Sequence, residues 1–269
     1  MVDRESSRIS RSRRLQDEIW KLPAADAHFA RQREQADNAD LRQKYIFFEM
    51  MKEIGDELQK EKQIIPRSNN TEHFAVLDLC MAPGGYSATV LKHCPSAQIS
   101  GISLPIQDGG HRLLLEDWQS DPPCLDDRPF LNCSFDLVFC DGQVLYRQNP
   151  LTPSQSKDKA TRLTTAQLIL ALQRIRPGGT LVILLHRLSE WKNVRLLRSL
   201  SLFADIELFK PKRKHATRGS FYLVAKNVNP EHPEALRALE TWKWTWWAAT
   251  VKEGCGEDSS TTPPEAIEE

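Results

Sequence analysis

The sequence lacks long hydrophobic runs, paired cysteines and an excess of either charge. Its 269 residues contain no stretch near the roughly 18 consecutive apolar residues of a membrane span, and the Arg-rich N-terminus has no apolar signal-peptide core. We therefore expect no membrane segment and an intracellular protein, cytoplasmic or nuclear. The six cysteines include no CxxC pair, which predicts reduced thiols and no metal site.

Charge is balanced in total but not along the chain. The sequence has 36 basic and 36 acidic residues, yet the segment from Lys252 onward carries −5, so residues 1–251 carry +5. The densest basic segment is the loop 210–218. Such a loop either holds phosphates or is simply solvated, so the sequence allows an RNA partner without requiring one.

Composition divides the chain into four segments. They are a basic arm that is helical or partly disordered (1–40), an α/β domain (41–228), a Trp-rich helix (229–250) and an acidic disordered tail (251–269). The third segment holds four tryptophans, at positions 242, 244, 246 and 247. They either cover a core or form a stacking surface for bases or for a partner.

Within the second segment, short β-rich apolar runs alternate with helical stretches, which indicates a mostly parallel sheet with helices on both faces. The predicted strands are Ala75–Leu79, Gln98–Ser103, Phe135–Cys140, Thr180–His186, Ile206–Phe209 and Ser220–Ala225, with a seventh near Leu113–Glu116. The predicted helices are Leu41–Lys62, Ser87–His93, Thr164–Ile175 and Trp191–Ser201.

The segment Asp78–Ser87 joins the first strand to the first helix of this alternation through a Pro-Gly-Gly turn. Glycines there let the backbone approach a ligand and leave amide donors at a helix N-terminus, the positive end of its dipole. The missing GxGxxG pattern argues against an ordinary dinucleotide site. In the crevice at the carboxyl ends of parallel strands, the turn suits the carboxylate and ribose of another cofactor.

The ten residues Asp-Leu-Cys-Met-Ala-Pro-Gly-Gly-Tyr-Ser at 78–87 resemble the first motif of the FtsJ-like S-adenosylmethionine-dependent methyltransferases. Phe135–Gly142, Leu172–Leu185 and the pair Lys210-Pro211 with Ser220–Ala225 resemble later motifs, in the family's order. The resemblance covers roughly 42–226. It implies a Rossmann-like methyltransferase fold with a seven-stranded, mostly parallel sheet that contains one antiparallel strand, and S-adenosylmethionine as the cofactor.

The resemblance also implies which residues bind the cofactor. Ser103 stands where the family has an acidic residue for the ribose hydroxyls, and it forgoes a charge-assisted bond that is roughly twice as strong. Glu116 or Asp117 is a candidate for the adenine, although such residues are also found on solvated faces, and Asp141 would lie beside the reacting methyl group. The first motif would contribute Asp78, Cys80, Ala82, Pro83, Gly84, Gly85, Tyr86 and Ser87.

FtsJ-like RNA 2′-O-methyltransferases carry a Lys-Asp-Lys-Glu tetrad, in which a lysine held near neutrality helps deprotonate a ribose hydroxyl. Asp141 matches the aspartate of this tetrad. Leu184 occupies the position of the second lysine, and Ser220 that of the glutamate. The first lysine position falls in the helix at 47–54, as Glu49 or Lys52. The tetrad is therefore degenerate.

His186 is a candidate replacement for the missing base. It lies two positions beyond Leu184, so both side chains point to the same face of an extended strand. An imidazole there can titrate near neutral pH. The alternative is a strand-end histidine that is bonded to the backbone.

The sequence thus predicts a methyltransferase with S-adenosylmethionine as cofactor and RNA as a possible acceptor. One alternative is a binding module that retains the fold without catalysis, because the tetrad is incomplete. Another is an enzyme for a small molecule, since an acceptor that is already nucleophilic needs less help from a base.

Overall fold

A computed structural model describes residues 41–66, 73–105, 113–114, 129–144, 153–215 and 218–254 of the chain. The described residues form five helices and six strands. The helices are α1 (Leu41–Lys62), α2 (Gly85–His93), α3 (Pro153–Arg174), α4 (Trp191–Leu200) and α5 (Pro233–Gly254). The strands are β1 (Ala75–Leu79), β2 (Gln98–Ile102), β3 (Phe135–Cys140), β4 (Ile175–His186), β5 (Asp205–Phe209) and β6 (Ser220–Val228).

The six strands form one sheet in the order β2-β1-β3-β4-β6-β5. Strands β1 to β4 pair in parallel, and β6 is antiparallel to both of its neighbours, β4 and β5. Leu79 at the end of β1 lies beside Ile102 of β2 and Cys140 of β3. The carboxyl ends of three strands therefore meet at one edge of the sheet, where α/β folds bind ligands.

The prediction of seven strands is wrong by one for the described residues. Leu113 and Leu114 have no strand structure, and residues 115–116 lie outside the described part of the chain. The backbone N–H of Leu114 donates to the carbonyl of Pro83 at 3.0 Å. The donor that a strand would use is thus bonded to the turn after β1.

Strand β4 begins at Ile175, five residues before the predicted start at Thr180. Ile175 pairs with Phe135, and the register with β3 then shifts before Leu137. A second irregularity in the pairing with β6 follows Gly179. These irregularities allow the Pro-Gly-Gly segment to lie within a strand, because bulges accommodate residues that interrupt regular pairing.

Helices cover both faces of the sheet and bury two hydrophobic cores. On one face, α1 and α2 pack Ile54, Leu58 and Val90 against β1, β3 and β6. On the other face, α3, α4 and α5 enclose a larger core that includes Trp242 of α5. Trp246 and Trp247 are exposed, so the tryptophans of α5 are divided between the core and the surface.

Two predicted terminal segments lie largely outside the described residues. The arm 1–40 is not described, and of the predicted tail 251–269 only residues up to 254, the end of α5, are described. Among the described residues, no helix is both long enough and apolar enough to cross a bilayer. The cysteines of the described residues, Cys80, Cys94, Cys133 and Cys140, are free thiols.

Candidate active site

The turn after β1 contains two residues with positive φ. Cys80 has φ 67° and Gly84 has φ 99°, and Gly84 is the N-cap of α2. The left-handed conformation at Gly84 is one that glycine adopts without a steric penalty. Ala82 and Pro83 lie between them, joined by a cis peptide bond. The turn thus places the N-terminus of α2 at the crevice at the end of β1.

Gly85 lies in close contact with helix α1. A Cβ atom added at Gly85 would lie 2.6 Å from the backbone oxygen of Phe48 and would also collide with the Met51 side chain. Side-chain atoms do not tolerate such a distance to a backbone oxygen. The second glycine of the Pro-Gly-Gly turn is therefore required by the packing of α1 on α2.

Asp78 is a buried carboxylate on β1 whose hydrogen bonds come from α2. The Ser87 hydroxyl donates to Asp78 Oδ2 at 2.6 Å, and the Ser87 backbone N–H also bonds this carboxylate. Burial raises the pKa of Asp78 to about 7, although both bonds from Ser87 act to lower it. Asp78 and Ser87 thus fix the first turn of α2 to the end of β1.

Asp141 is the second carboxylate of the crevice and follows directly after β3. Its Oδ1 is buried and has no hydrogen-bond partner within the described part of the chain. Burial and the nearby Asp78 raise its pKa well above the ordinary value, while a hydrogen bond from Tyr86 lowers it. Two buried carboxylates that have no cationic partner in the described ranges of the chain fit a positively charged ligand, which would offset the free-energy cost of burying each charge.

The thiol of Cys80 lies between the two carboxylates and is not a nucleophile. Burial, together with the charges of Asp78 and Asp141, raises the pKa of Cys80 to about 12. The thiol is therefore protonated at neutral pH and acts as a small, weakly polar group in the wall of the crevice. A Cβ atom at Gly142 would collide with it, which shows how closely the two loops approach.

The loop after β3 is held by a glutamine of helix α3. Gln167 Oε1 accepts the Gly142 N–H at 2.8 Å, and Gln167 Nε2 donates to the Gly142 carbonyl at 3.3 Å. Gln167 is buried, so these bonds satisfy backbone groups that water does not reach. The orientation of Asp141 and of Gln143, on either side of Gly142, depends on this contact.

Tyr86, which bonds to Asp141, belongs to a row of aromatic rings. Its ring stacks on Phe139 with centroids 5.2 Å apart, and its hydroxyl lies 2.5 Å from that of Tyr222 on β6. Tyr222 in turn stacks on His215, whose Nδ1 lies 3.0 Å from the Ser220 hydroxyl. Burial lowers the pKa of His215 to about 4, so the row is neutral.

Neither of the two candidates for the first tetrad position is a free base. Lys52 and Glu49 form an ion pair with Nζ and Oε1 2.9 Å apart, and the ammonium lies 5.2 Å from the Phe48 ring centroid. Leu184, which the resemblance aligns with the second lysine, pairs with Tyr222 across the sheet and packs against the core under α1. Of the two positions that the resemblance aligns with the tetrad lysines, one therefore holds an ion pair and the other an apolar side chain.

His186 ends β4 on the exposed side of the crevice. Its Nε2 lies 2.8 Å from Gln143 Oε1, so the structure brings the predicted base next to the loop that carries Asp141. Partial burial lowers the pKa of His186, and the neighbouring cations Lys192, Arg187 and Arg218 lower it further. The imidazole is therefore neutral at physiological pH and able to accept a proton. The bond to Gln143 differs from the predicted alternative of a backbone partner.

The basic loop 210–218 folds against an acidic row on α1. Lys212 Nζ lies 2.5 Å from Glu61, its backbone N–H donates to Glu57, and Lys214 lies 3.1 Å from Glu53. Lys210 donates to the backbone carbonyls of Arg218 and Ser220. Much of the loop's charge is thus compensated within the protein, and residues 216–217 lie outside its described part.

The remaining predicted cofactor residues divide into two groups. Ser103 directly follows β2 and lies at the same edge of the sheet as Asp78 and Asp141, since Ile102 pairs with Leu79. Glu116 and Asp117 lie outside the described residues. The sequence did not predict Gln143, Gln167 or Tyr222, although Tyr222 falls within a matched motif.

Comparison with known proteins gives a match to one family and to several relatives. The sequence model of the FtsJ-like methyltransferase family matches residues 56–228. The ribosomal RNA large subunit methyltransferase E of Rhizorhabdus wittichii is 30% identical over 167 residues, which are 61% of this chain and 70% of that protein. The AdoMet-dependent rRNA methyltransferase SPB1 of Candida albicans is 26% identical over 196 residues, 67% of this chain and 22% of that protein.

A third relative is the cap-specific mRNA (nucleoside-2′-O-)-methyltransferase 2 of Drosophila melanogaster, 29% identical over 106 residues. The match spans 39% of this chain and 15% of the insect protein. The chain therefore corresponds to only a small part of two of these relatives. The match to the family covers more than half of the chain and confirms the predicted resemblance: this chain belongs to the FtsJ-like family of S-adenosylmethionine-dependent methyltransferases.

Proposed function

We propose that this chain transfers the methyl group of S-adenosylmethionine to RNA, in the cytoplasm or the nucleus. The observation that carries the proposal is the pair of buried carboxylates, Asp78 and Asp141, at the ends of β1 and β3. Neither has a cationic partner among the described residues, and burial raises the pKa of both. When bound, the cofactor supplies a positively charged sulfonium and its methyl group, which is the charge that this crevice lacks.

The residues that would hold the cofactor come from the three strand ends that meet at the crevice. Gly84 presents the N-terminus of α2, the positive end of the helix dipole, and Ser87 orients Asp78. Ser103 after β2 offers a hydroxyl for hydrogen bonding. Asp141 places a carboxylate on the opposite side of the crevice. The contact of Gln167 with Gly142 holds it there. Asp117 stays a prediction for the adenine.

His186 is the residue that we assign as the base. If the Gln143 oxygen accepts a hydrogen bond from Nε2–H, the unprotonated ring nitrogen is Nδ1. A neutral imidazole with a fixed tautomer can take the proton of a ribose hydroxyl as the methyl group is transferred, a step that Leu184 cannot perform. The RNA-modifying relatives support RNA as the acceptor.

The experiment incubates the full chain with labelled S-adenosylmethionine and either total RNA or a small-molecule extract. Label in the RNA fraction supports the proposal, and label only in the extract contradicts it. Asp141→Asn should abolish labelling, because it removes the carboxylate charge of the crevice. Asp205→Asn, an exposed carboxylate of β5, is the matched control and should label RNA like the unmodified chain.

A binding module without catalysis is the second candidate. Three features support it: the resemblance aligns Leu184 and Ser220 with tetrad positions, and Lys52 is bound by Glu49. Calorimetry with S-adenosylmethionine and S-adenosylhomocysteine separates the two functions when combined with the labelling assay. Cofactor binding without transfer to any acceptor would support the module, whereas binding with transfer would exclude it.

A further inference from the structure

Helix α4 presents an exposed aromatic and cationic face next to His186. Its sequence, from Trp191 to Leu200, contains three basic residues and no acidic residue. The Trp191 ring is 70% exposed, which is the highest value among the large hydrophobic side chains of the described residues. Val194, one turn further along the helix, is exposed as well, and adjoining exposed apolar side chains are typical of binding surfaces.

Four of the exposed residues of α4 follow one stripe of the helix. Trp191, Val194, Arg195 and Arg198 are spaced at i, i+3, i+4 and i+7, and all four are exposed. Asn193 and Leu200, on the opposite side, are buried. The aromatic ring and the two guanidinium groups therefore lie on the same outward face.

This face is fixed to the end of the strand that carries His186. The buried Asn193 side chain donates to the His186 carbonyl at 2.5 Å and to the Arg187 carbonyl at 3.0 Å. The first turn of α4 is thus held directly beside the candidate base. Trp191 projects from that same turn, so a chain lying on α4 would run towards the crevice.

The charges around this face are positive. Glu190, just before α4, pairs with Lys192 at 3.0 Å and lies 3.9 Å from Arg187. Neither Arg195 nor Arg198 has an acidic partner among the described residues, and Arg218 lies close enough to influence His186. An anionic occupant is therefore favoured over an apolar protein segment.

We propose that the outer face of α4, with Trp191, Arg195 and Arg198, binds single-stranded RNA and guides it to His186. Trp191 stacks on an unpaired base, because aromatic side chains accept any base through its π face. Arg195 and Arg198 bind the flanking phosphates, with a salt dependence typical of such contacts. The inference rests on the proposed function in that it specifies which form of RNA reaches the crevice.

The test measures the affinity of the full chain for a fluorescently labelled single-stranded oligoribonucleotide of about 12 nucleotides, without cofactor, so that binding is read independently of turnover. Trp191→Ala should weaken binding roughly 5- to 100-fold, since one base–aromatic stack is lost. Trp191→Phe should restore most of the affinity, because the ring is retained. Trp247→Ala, which removes another exposed tryptophan on α5, should bind like the unmodified chain.

The arginines are tested by salt dependence. The variant with Arg195→Gln and Arg198→Gln should reduce the slope of log affinity against log salt by about 1.4, since each single-strand phosphate contact contributes roughly 0.7. On duplex RNA, Trp191→Ala should have no effect, because paired bases are not available for stacking. Circular dichroism of each variant verifies that α4 is folded.

The binding and methylation experiments distinguish failure of this inference from failure of the proposed function. If the chain methylates RNA but Trp191→Ala binds the single strand as tightly as the unmodified chain does, this inference is overturned and the activity stands. If binding depends on Trp191 but no RNA is methylated, the inference stands and the activity is excluded. If the unmodified chain binds no single-stranded RNA, the inference is overturned, and a protein becomes the candidate partner for the face that contains Trp191.

Discussion

Gln167 satisfies both backbone groups of Gly142, accepting its N–H at 2.8 Å and donating to its carbonyl at 3.3 Å. The two residues lie on different elements, α3 and the loop after β3. Through this single side chain, a helix on one face of the sheet determines the position of Asp141 in the crevice.

Replacing Gln167 by Leu should lower both stability and activity. The change leaves two buried backbone groups without partners, at a cost of about 2 kcal/mol or more in the free energy of unfolding. Urea denaturation followed by circular dichroism measures this loss. Gln173→Leu, on the exposed side of the same helix, is the matched control. Equal destabilisation by both variants would contradict a specific role for Gln167.

Asp78 should make the stability of the cofactor-free protein depend on pH. Its pKa is about 7 in the folded chain against 3.8 ordinarily, so the unfolded chain releases this proton first as the pH rises. Its contribution to stability is therefore complete below about pH 4 and is lost as the pH approaches 7, by up to about 1.4 kcal/mol per pH unit.

Asp78→Asn should make this loss of stability shallower, as measured by urea denaturation at pH 4.5, 6 and 8. Part of the slope should persist, because the pKa of Asp141 is also raised. An unchanged slope in the Asn variant would mean that Asp78 is ionised in the folded chain at low pH.

His186→Ala should reduce kcat for RNA methylation by about 10²- to 10⁴-fold, the usual contribution of a positioned base. Cofactor affinity, measured by calorimetry, should change little, because His186 lies on the acceptor side of the crevice in this assignment. His93→Ala, at the end of α2 and paired with Asp56, serves as the control. Full activity of His186→Ala would remove this residue from the mechanism.

Gln143→Glu should raise the pKa of His186. A carboxylate 2.8 Å from Nε2 favours the imidazolium, which opposes the lowering caused by partial burial and nearby cations. The acidic limb of the pH–rate profile should therefore move to higher pH by about one unit. Gln143→Leu, which removes the bond without adding charge, should not move the limb upward. If the acidic limb of the pH–rate profile does not move in Gln143→Glu, the group that titrates in this limb is not His186.

Arg218→Gln should weaken RNA binding more than Lys212→Gln does. Lys212 is paired with Glu61, so its charge is already compensated, whereas Arg218 is near enough to His186 for its charge to lower the pKa of the imidazole. Affinity measured at several salt concentrations should show a smaller slope for Arg218→Gln. Equal losses for the two variants would mean that the loop detaches from α1 when RNA binds.

The sheet could be predicted closely where burial alone determines the structure. Ala75–Leu79 and Phe135–Cys140 are short, mostly apolar runs with one aspartate each, and the observed strands β1 and β3 have these limits. The start of β4 could not be predicted, because Pro177 and Gly178 normally interrupt strands. Only the pairing of Ile175 with Phe135, which are distant in sequence, extends the strand through them.

The two carboxylates of the site could be predicted from the sequence, but the residues around them could not. Asp78 and Asp141 stand at strand ends, which places them at one edge of a parallel sheet. Gln167 and Tyr222 lie within helix and strand patterns that give no reason to distinguish them from packing residues. Their roles depend on contacts with Gly142 and Tyr86 across the fold, and such contacts leave no local pattern in a sequence.

The contact between Gly85 and helix α1 has a consequence for how this chain can evolve. The space at Gly85 is occupied by Met51 and by the Phe48 backbone. A larger residue at 85 is therefore acceptable only with a smaller one at 51 and a displacement of α1, so the two positions should covary among homologues. Helix α1 also carries the glutamates that hold the basic loop, and one substitution at the turn would thereby disturb the acceptor side as well.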